Sequence, residues 1–263
     1  MHLVSLTFDD ALPCHLDSVV PLLNQHGFKG TFYVPFTSSC LLDRWEEWQA
    51  ISKVGHELGN HTIFHPAVPE KDWVDDGNSI ARYTLERMAR ELDIANQLLR
   101  RLDGETRRTF AYPCSNSVLG SPGILERLLQ ILALSRTRIA PWIRKVPDPT
   151  DNRRDYSCLL DGRFVAARSG ASDQFTNRWK TPCISGDASS AERLISDLES
   201  HRRHQKWTVF TFHHIGQGPS QLTIERHEFE EFLTELARRQ EIEVCTFMKA
   251  SNRFWDLNNR PRT

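Results

Sequence analysis

Short apolar runs alternate with amphipathic, helix-length stretches along the chain, and this limits the fold more than any single motif does. Residues 3–8 form a continuous apolar run of the kind a strand buried on both faces requires. Residues 16–25 keep helical spacing and stop before Gly27; a β-rich run follows at 28–34, and a helix expected at 44–54 stops at Gly55. A short strand at 56–59 then precedes a long helix at 80–102, where Ile80, Leu85, Met88, Leu92, Ala95 and Leu99 hold near-helical spacing up to Gly104. Further strands are expected at 109–112, 163–167, 207–212 and 242–247, and helices at 124–134, 191–204 and 228–239, around an irregular Pro- and Arg-rich segment at 141–154. Strands regularly separated by helices predict a parallel sheet, and seven or so such units predict an α/β fold that is a complete or incomplete barrel. With 263 residues, 39% of them hydrophobic, the chain supplies one large core and is short for two ordinary domains, so residues 1–263 are expected to form a single domain.

Composition narrows the partners. Lys and Arg number 33 against 34 Asp and Glu, and the net charge of −1 gives no basic field to attract nucleic acid or an anionic membrane. An uncharged or small partner is expected. No apolar stretch approaches the roughly 20 residues that span a bilayer. The first strand begins almost at Met1, without the regions of a signal peptide, so a cytoplasmic chain is expected as written, and a secreted one if a leader had been trimmed. The six cysteines are scattered without a CxxC pair, which predicts reduced, mostly buried thiols. The sequence gives no sign of oligomeric state.

The polar residues at the carboxyl ends of the expected strands carry the chemistry. Thr7-Phe8-Asp9-Asp10 closes the first strand, His61-Thr62-Ile63-Phe64-His65 follows the third, and Phe212-His213-His214 ends a later one. An Asp pair after a strand is most often a turn or a helix cap, and among 11 histidines a chance HxxxH is not rare. Their joint placement on one rim favours a site, because barrel enzymes build theirs on that face. Asp10, His61 and His65 form a set of one carboxylate and two imidazoles that suits Zn²⁺, with Co²⁺, Ni²⁺ or Mn²⁺ as neighbours, and leaves positions open for water and substrate. The i, i+4 spacing of the histidines places both rings on one side of a short helical turn that Pro66 must end. Asp9, the spare carboxylate, is the candidate base.

These residues resemble the polysaccharide deacetylases of carbohydrate esterase family 4, the NodB homology domain. The resemblance covers most of the chain and implies a distorted (β/α)7-type barrel. Thr-Phe-Asp-Asp is similar to the family's first motif, which implies that Asp9 is the catalytic base and Asp10 a metal ligand. Gly59 to Pro66 is similar to its second, implying that His61 and His65 bind metal. The family's last motif ends a strand with an acid histidine, a position that His213 fits better than His214. The third motif departs from the pattern: where the family carries Arg-x-Pro-Tyr-Gly, this chain has Ala111-Tyr112-Pro113-Cys114-Ser115. Cys114 would offer a backbone N–H to the oxyanion beside Tyr112 and Pro113, and Arg168 or Arg178, the latter preceding Trp179, would replace the missing guanidinium. For the fourth motif, an Asp and a Trp that orient the acid, the candidates are Asp173, Asp187, Trp142 and Trp179.

The resemblance implies a hydrolase of acetylated carbohydrate. Removal of N-acetyl groups from a GlcNAc-type glycan is the first expectation. O-deacetylation of a xylan-like polymer, or hydrolysis of a small amide, is the alternative on the same site. A carbohydrate-binding domain with a decayed site is the further alternative, opposed by the complete base and ligand set. Trp45, Trp48, Trp73 and Trp179 are either stacking platforms for sugars or core residues.

Overall fold

The apolar run at the start of the chain becomes the centre of the sheet. In the computed structural model, which describes residues 1–72, 74–132, 140–143, 145–170, 175, 177–217 and 221–258, that run is strand β1 (His2–Asp9). It is parallel to neighbours on both sides: residues 3–8 pair with 207–212 on one edge, and residues 7–9 pair with 31–33 on the other. The other strands of this sheet are β2 (Thr31–Val34), β3 (Glu57–Asn60), β4 (Phe110–Ala111), β5 (Ala167–Arg168), β6 (Ile184–Ser185), β7 (Trp207–Phe212) and β8 (Ile242–Val244). Their order is β5-β4-β3-β2-β1-β7-β6, with β8 joined to the first residues of β1, and every pairing is parallel. A parallel bridge between Arg168 and Thr181 ties the β5 edge to the segment leading into β6, so the sheet curls round as the distorted (β/α) barrel expected from the alternation.

Period-two alternation sorts the side chains of β1. Val4, Leu6 and Phe8 face the outer helices, in a core that includes Phe32, Phe212, Phe229 and Phe232. Ser5, Thr7 and Asp9 face the barrel interior: Ser5 Oγ accepts from Trp207 Nε1 at 3.1 Å, and Thr7 Oγ1 donates to the Phe210 carbonyl at 2.7 Å. The same alternation delivers Asp9 to the inside at the carboxyl end. Gly59 on β3 is required by close approach, since a Cβ there would lie 2.4 Å from the Tyr33 ring.

The long helix starts later than its periodicity predicts. Ile80–Arg82 is a separate 3₁₀ turn, and α-helix begins at Leu85 because the Thr84 hydroxyl caps the Arg87 N–H at 3.1 Å. It runs from Leu85 to Asp103 and ends at Gly104, whose φ of 80° is the left-handed cap conformation that glycine adopts without penalty. The strand expected at 242–247 stops at Val244, and a helix, Phe247–Asn258, follows. Its first N–H groups have partners: Phe247 N donates to Thr31 Oγ1 and Met248 N to Glu57 Oε2, both at 2.8 Å. Phe247 and Phe254 then pack on Trp207, with centroids 4.9 and 5.6 Å away, at the amino end of β7.

Candidate active site

The chain turns sharply after β1, with Asp10 and Ala11 at φ 76° and 50°, a region few non-glycine residues occupy. Asp10 N donates to the Tyr33 carbonyl at 3.1 Å, which fixes the turn against β2. The histidine pair lies not on the helical turn its spacing predicts but on a loop, with Thr62 and His65 at φ 67° and 49°. Pro66 already disfavours right-handed helix at His65, and the loop's N–H groups take side-chain partners instead of helical ones. Asn60 Oδ1 accepts from Thr62 N at 2.8 Å, and Thr62 Oγ1 accepts from His65 N at 3.0 Å. Glu91, buried on the long helix, accepts from both Ile63 N and Phe64 N through Oε1, each at 3.0 Å.

This scaffold brings Asp10, His61 and His65 together, with their ligand atoms all within 4.8 Å of one another. His65 Nε2 and His61 Nε2 lie 3.3 and 3.7 Å from Asp10 Oδ1. A four-coordinate ion with bonds of about 2.0–2.2 Å sets neighbouring donors roughly 3.3–3.6 Å apart, so the spacing fits. His61 Nδ1–H donates to the Ala111 carbonyl at 2.8 Å, which leaves Nε2 as the free donor of the ring. Burial pushes this imidazole down to about 4, so it is neutral and able to coordinate. The residues therefore fit a divalent cation.

Asp9 stands beside this set, with Oδ2 3.9 Å from His61 Nε2. Its other contact is the Arg168 guanidinium, which reaches it from β5 through Nη2. Burial alone would raise the Asp9 carboxyl, but Arg168, with smaller help from His61 and His213, holds it down at about 2. Arg168 is in turn fixed by Cys183, whose sulfur lies 3.3 Å from Nη1, and by Tyr33, whose ring centroid lies 5.2 Å from the guanidinium carbon. Of the two candidate arginines, Arg168 is thus the one brought to Asp9. Arg178 gives its carbonyl to Ala167 N and does not line the cavity that holds Asp9. Asp9 Oδ1 is buried without a hydrogen-bond partner among the described residues.

His213 follows β7. Asp187, in the turn after β6, accepts from His213 N at 3.0 Å and from His213 Nδ1 at 2.7 Å. Burial opposes charge on the ring, yet the hydrogen bond to Asp187 and the fields of Asp9, Asp187 and Asp10 outweigh it and raise His213 to about 9. Asp187 is the fourth-motif candidate placed on His213; Asp173 lies outside the described residues. His15, kept neutral by burial at about 4, donates from Nε2 to the His213 carbonyl at 2.7 Å and accepts from Leu12 N at 3.2 Å. It ties the turn after β1 to the turn after β7. His214 instead pairs with Thr223 in a short strand.

Asp9, Asp10, His61, His65, Arg168 and His213 share a cavity of about 630 Å³ with Cys114, Ser115, Pro35, Thr37, Ser38, Lys71, Thr211 and Leu222. The family model for polysaccharide deacetylases matches residues 1–122, the stretch that carries Asp9, Asp10, His61, His65 and Cys114. Over that stretch the chain is similar to that family. Among curated proteins it is 31% identical over 109 residues to gellan lyase of a Bacillus species, a match that covers 41% of this chain. The chain spans 4% of the length of gellan lyase and 27% of that of the Bacillus subtilis protein YlxY, so it matches only part of either relative. Its fold is that of a candidate polysaccharide deacetylase from Mycobacterium smegmatis, with TM-score 0.62, 13% identity and coverage of 99% of this chain and 92% of that one. The carbohydrate esterase family 4 pseudoenzyme BA3943 of Bacillus anthracis also shares it, with TM-score 0.55, 14% identity and coverage of 95% and 65%. Because a pseudoenzyme shares the fold, activity has to be argued from this chain's own site.

The departures from the family's third motif have structural counterparts. Cys114 and Ser115 take φ of 48° and 57°, which turns the chain at the cavity wall. Tyr112 does not reach the cavity: its ring packs on Phe110 and Tyr156 in a second core, and Pro113 is buried beside it. Trp179 packs partly buried against that same core. Trp142, another candidate, lies exposed, and Trp48 is fully buried with Trp45 packed against the main core. None of these four tryptophans lines the cavity, and Trp73 lies outside the described residues. Sequence reasoning missed Lys71, Thr37, Ser38 and Thr211 on the wall and Glu91 and His15 behind it; Thr211 stands in the strand that leads to His213, the others sit in no motif, and only the fold gathers them.

Proposed function

We propose that this chain is a metal-dependent hydrolase that removes N-acetyl groups from an amino-sugar glycan. The carrying observation is the convergence on one cavity of a cation donor set, a carboxylate held ionised by Arg168 and an imidazole held protonated by Asp187. Asp10, His61 and His65 would hold the ion, with Zn²⁺ the best match to the donors. A divalent ion bound there supplies Lewis-acid polarisation of the acetyl carbonyl and makes water more acidic. Asp9 takes the proton of the attacking water as its oxygen adds to the acetyl carbon. The backbone N–H at Cys114 donates to the developing oxyanion. His213 gives its proton to the amide nitrogen as the C–N bond breaks, releasing acetate and a free amino sugar.

The leaving group decides between amide and ester. An amine departs poorly unless protonated, so a histidine raised to about 9 and kept charged at neutral pH favours N-deacetylation over an O-acetyl ester. Acetate release from N-acetylated chito-oligosaccharides, by protein stripped with chelator and reloaded with Zn²⁺ or Co²⁺, tests this reading. Metal-restored release is expected. Release from O-acetyl xylan alone would move the assignment to an esterase, and metal binding without release from either would leave a binding domain.

A further inference from the structure

Most charges lining the catalytic cavity are paired. Arg168 stands against Asp9, His213 against Asp187, and Asp10 belongs with His61 and His65. Lys71 lines the same cavity, and among the described residues no carboxylate lies within ion-pair distance of its ammonium. A lone lysine on a solvated face needs no partner, but this one shares a wall with the base and the acid. Its backbone is held on both sides: Lys71 N donates to the Val68 carbonyl at 3.2 Å and its carbonyl accepts from Val74 N at 2.9 Å. The surrounding loop is closed at its base by a bridge between Ala67 and Ser79. Lys71 also acts electrostatically on Cys114, where burial raises the thiol and the lysine lowers it, which sets the ammonium near the turn proposed to serve the oxyanion.

We infer that the substrate is an acidic glycan, an acetamido-sugar polymer with a carboxylate that Lys71 receives at the cavity wall. The inference rests on the N-deacetylase reading and adds the class of glycan to it. Glu70 and Asp72 flank Lys71 in the sequence but do not line the cavity, so the ammonium is the charge presented on this wall.

Two soluble chitins with the same backbone isolate the charge: carboxymethyl chitin bears a carboxylate where glycol chitin bears a neutral hydroxyethyl group. With the zinc-loaded protein at low salt, kcat/KM is expected to be roughly three- to fivefold higher on carboxymethyl chitin. The preference should shrink as salt brings the screening length to about 8 Å. Lys71→Gln should bring the ratio to about one, and Lys71→Glu should invert it. Retardation of metal-free protein in gels that contain each polymer should follow the same order. A ratio equal in the parent and Lys71→Gln, in rate and in retardation, overturns the inference. If neither polymer releases acetate, the deacetylase reading fails, and the retardation ratio alone then decides for or against Lys71 as a carboxylate receptor.

Discussion

Asp187→Asn should convert His213 from an acid available up to pH 9 into one that is lost near neutrality. In the parent, the distance from the ordinary 6.5 to about 9 corresponds to ~3 kcal/mol in favour of the protonated ring. Burial is the largest single influence and acts against that charge; Asp187 opposes it both by its hydrogen bond and by its field. Without the carboxylate, the ring should fall to about 6.5 or lower. At pH 8 the protonated fraction then drops from about nine-tenths to about three-hundredths, a loss of roughly thirtyfold, while at pH 5.5 both forms are almost fully protonated. The assay is kcat/KM for acetate release from pH 5 to 10, with the same metal in parent and variant so that its charge acts on both alike. The variant's alkaline limb should move down by about two and a half pH units. Imidazole NMR titration of the metal-free proteins supplies a second readout. A parent-to-variant ratio that stays constant across pH would reduce Asp187 to a purely structural role and refute the reasoning. Linkage has the same sign: a raised histidine adds stability that is full below 6.5 and fades as pH rises through about 9.

Three further outcomes follow from the site. Arg168→Gln leaves burial to act on Asp9 unopposed by the guanidinium, so the acid limb should rise from below pH 3 into about pH 4–6, with kcat/KM lost below that limb and kept above it; an unmoved acid limb would contradict the pairing. Lysine should not rescue it, because Arg168 reaches Asp9 and Cys183 through two different nitrogens. Asp9→Ala should abolish turnover yet keep the ion in equilibrium dialysis, whereas His61→Ala should lose both; an ion retained by His61→Ala would sink the ligand assignment. Glu91→Ala leaves Ile63 N and Phe64 N without their acceptor, at about 1–3 kcal/mol each, and should lower Tm and weaken metal binding about 10- to 100-fold, with Glu91→Gln milder. Equal metal affinity in Glu91→Ala and the parent would remove the loop from the argument.

The barrel was legible because its long strands are continuous apolar runs and its longer helices keep their periodicity. Ile184–Ser185 was not, since two residues carry no period, and the strand is fixed by β7 beside it. The strand expected at 242–247 extends past Val244 because Phe247 is β-prone, and the side chains that meet the first N–H groups of the helix starting there, on Thr31 and Glu57, lie far away in sequence. The site shows the same division. Asp9, Asp10, His61, His65 and His213 stand in motifs, and the structure brings them together. Arg168 and Arg178 were equal candidates in the sequence, and only the pairing of β5 with β4 puts Arg168 against Asp9. Glu91 sits among the polar positions of an amphipathic helix, with nothing to distinguish it until the loop packs above it. Tyr112 and Trp179 fail as lining residues because large rings follow the apolar core when one lies beneath them.

In the proposed reaction the two charged pairs divide the chemical work. Arg168 holds Asp9 at about 2 and Asp187 holds His213 at about 9, so one protonation state, carboxylate and imidazolium, prevails across the range between them. That state is the one in which Asp9 is able to accept a proton and His213 to give one. Its cost is basicity, because a carboxylate with so low a pKa draws protons weakly and free water is a very poor acid. Asp9 is therefore competent only where water is made far more acidic than in bulk. The neutral imidazole of His61, with His65 and the carboxylate of Asp10 at donor separations that suit a divalent cation, lies where that acidity is needed. Removing Arg168 would strengthen the base but empty its ionised state at low pH, and removing the donor set would leave the base ionised with nothing acidic enough to deprotonate. The two losses are distinguishable: the first moves an acid limb, while the second lowers the rate at every pH.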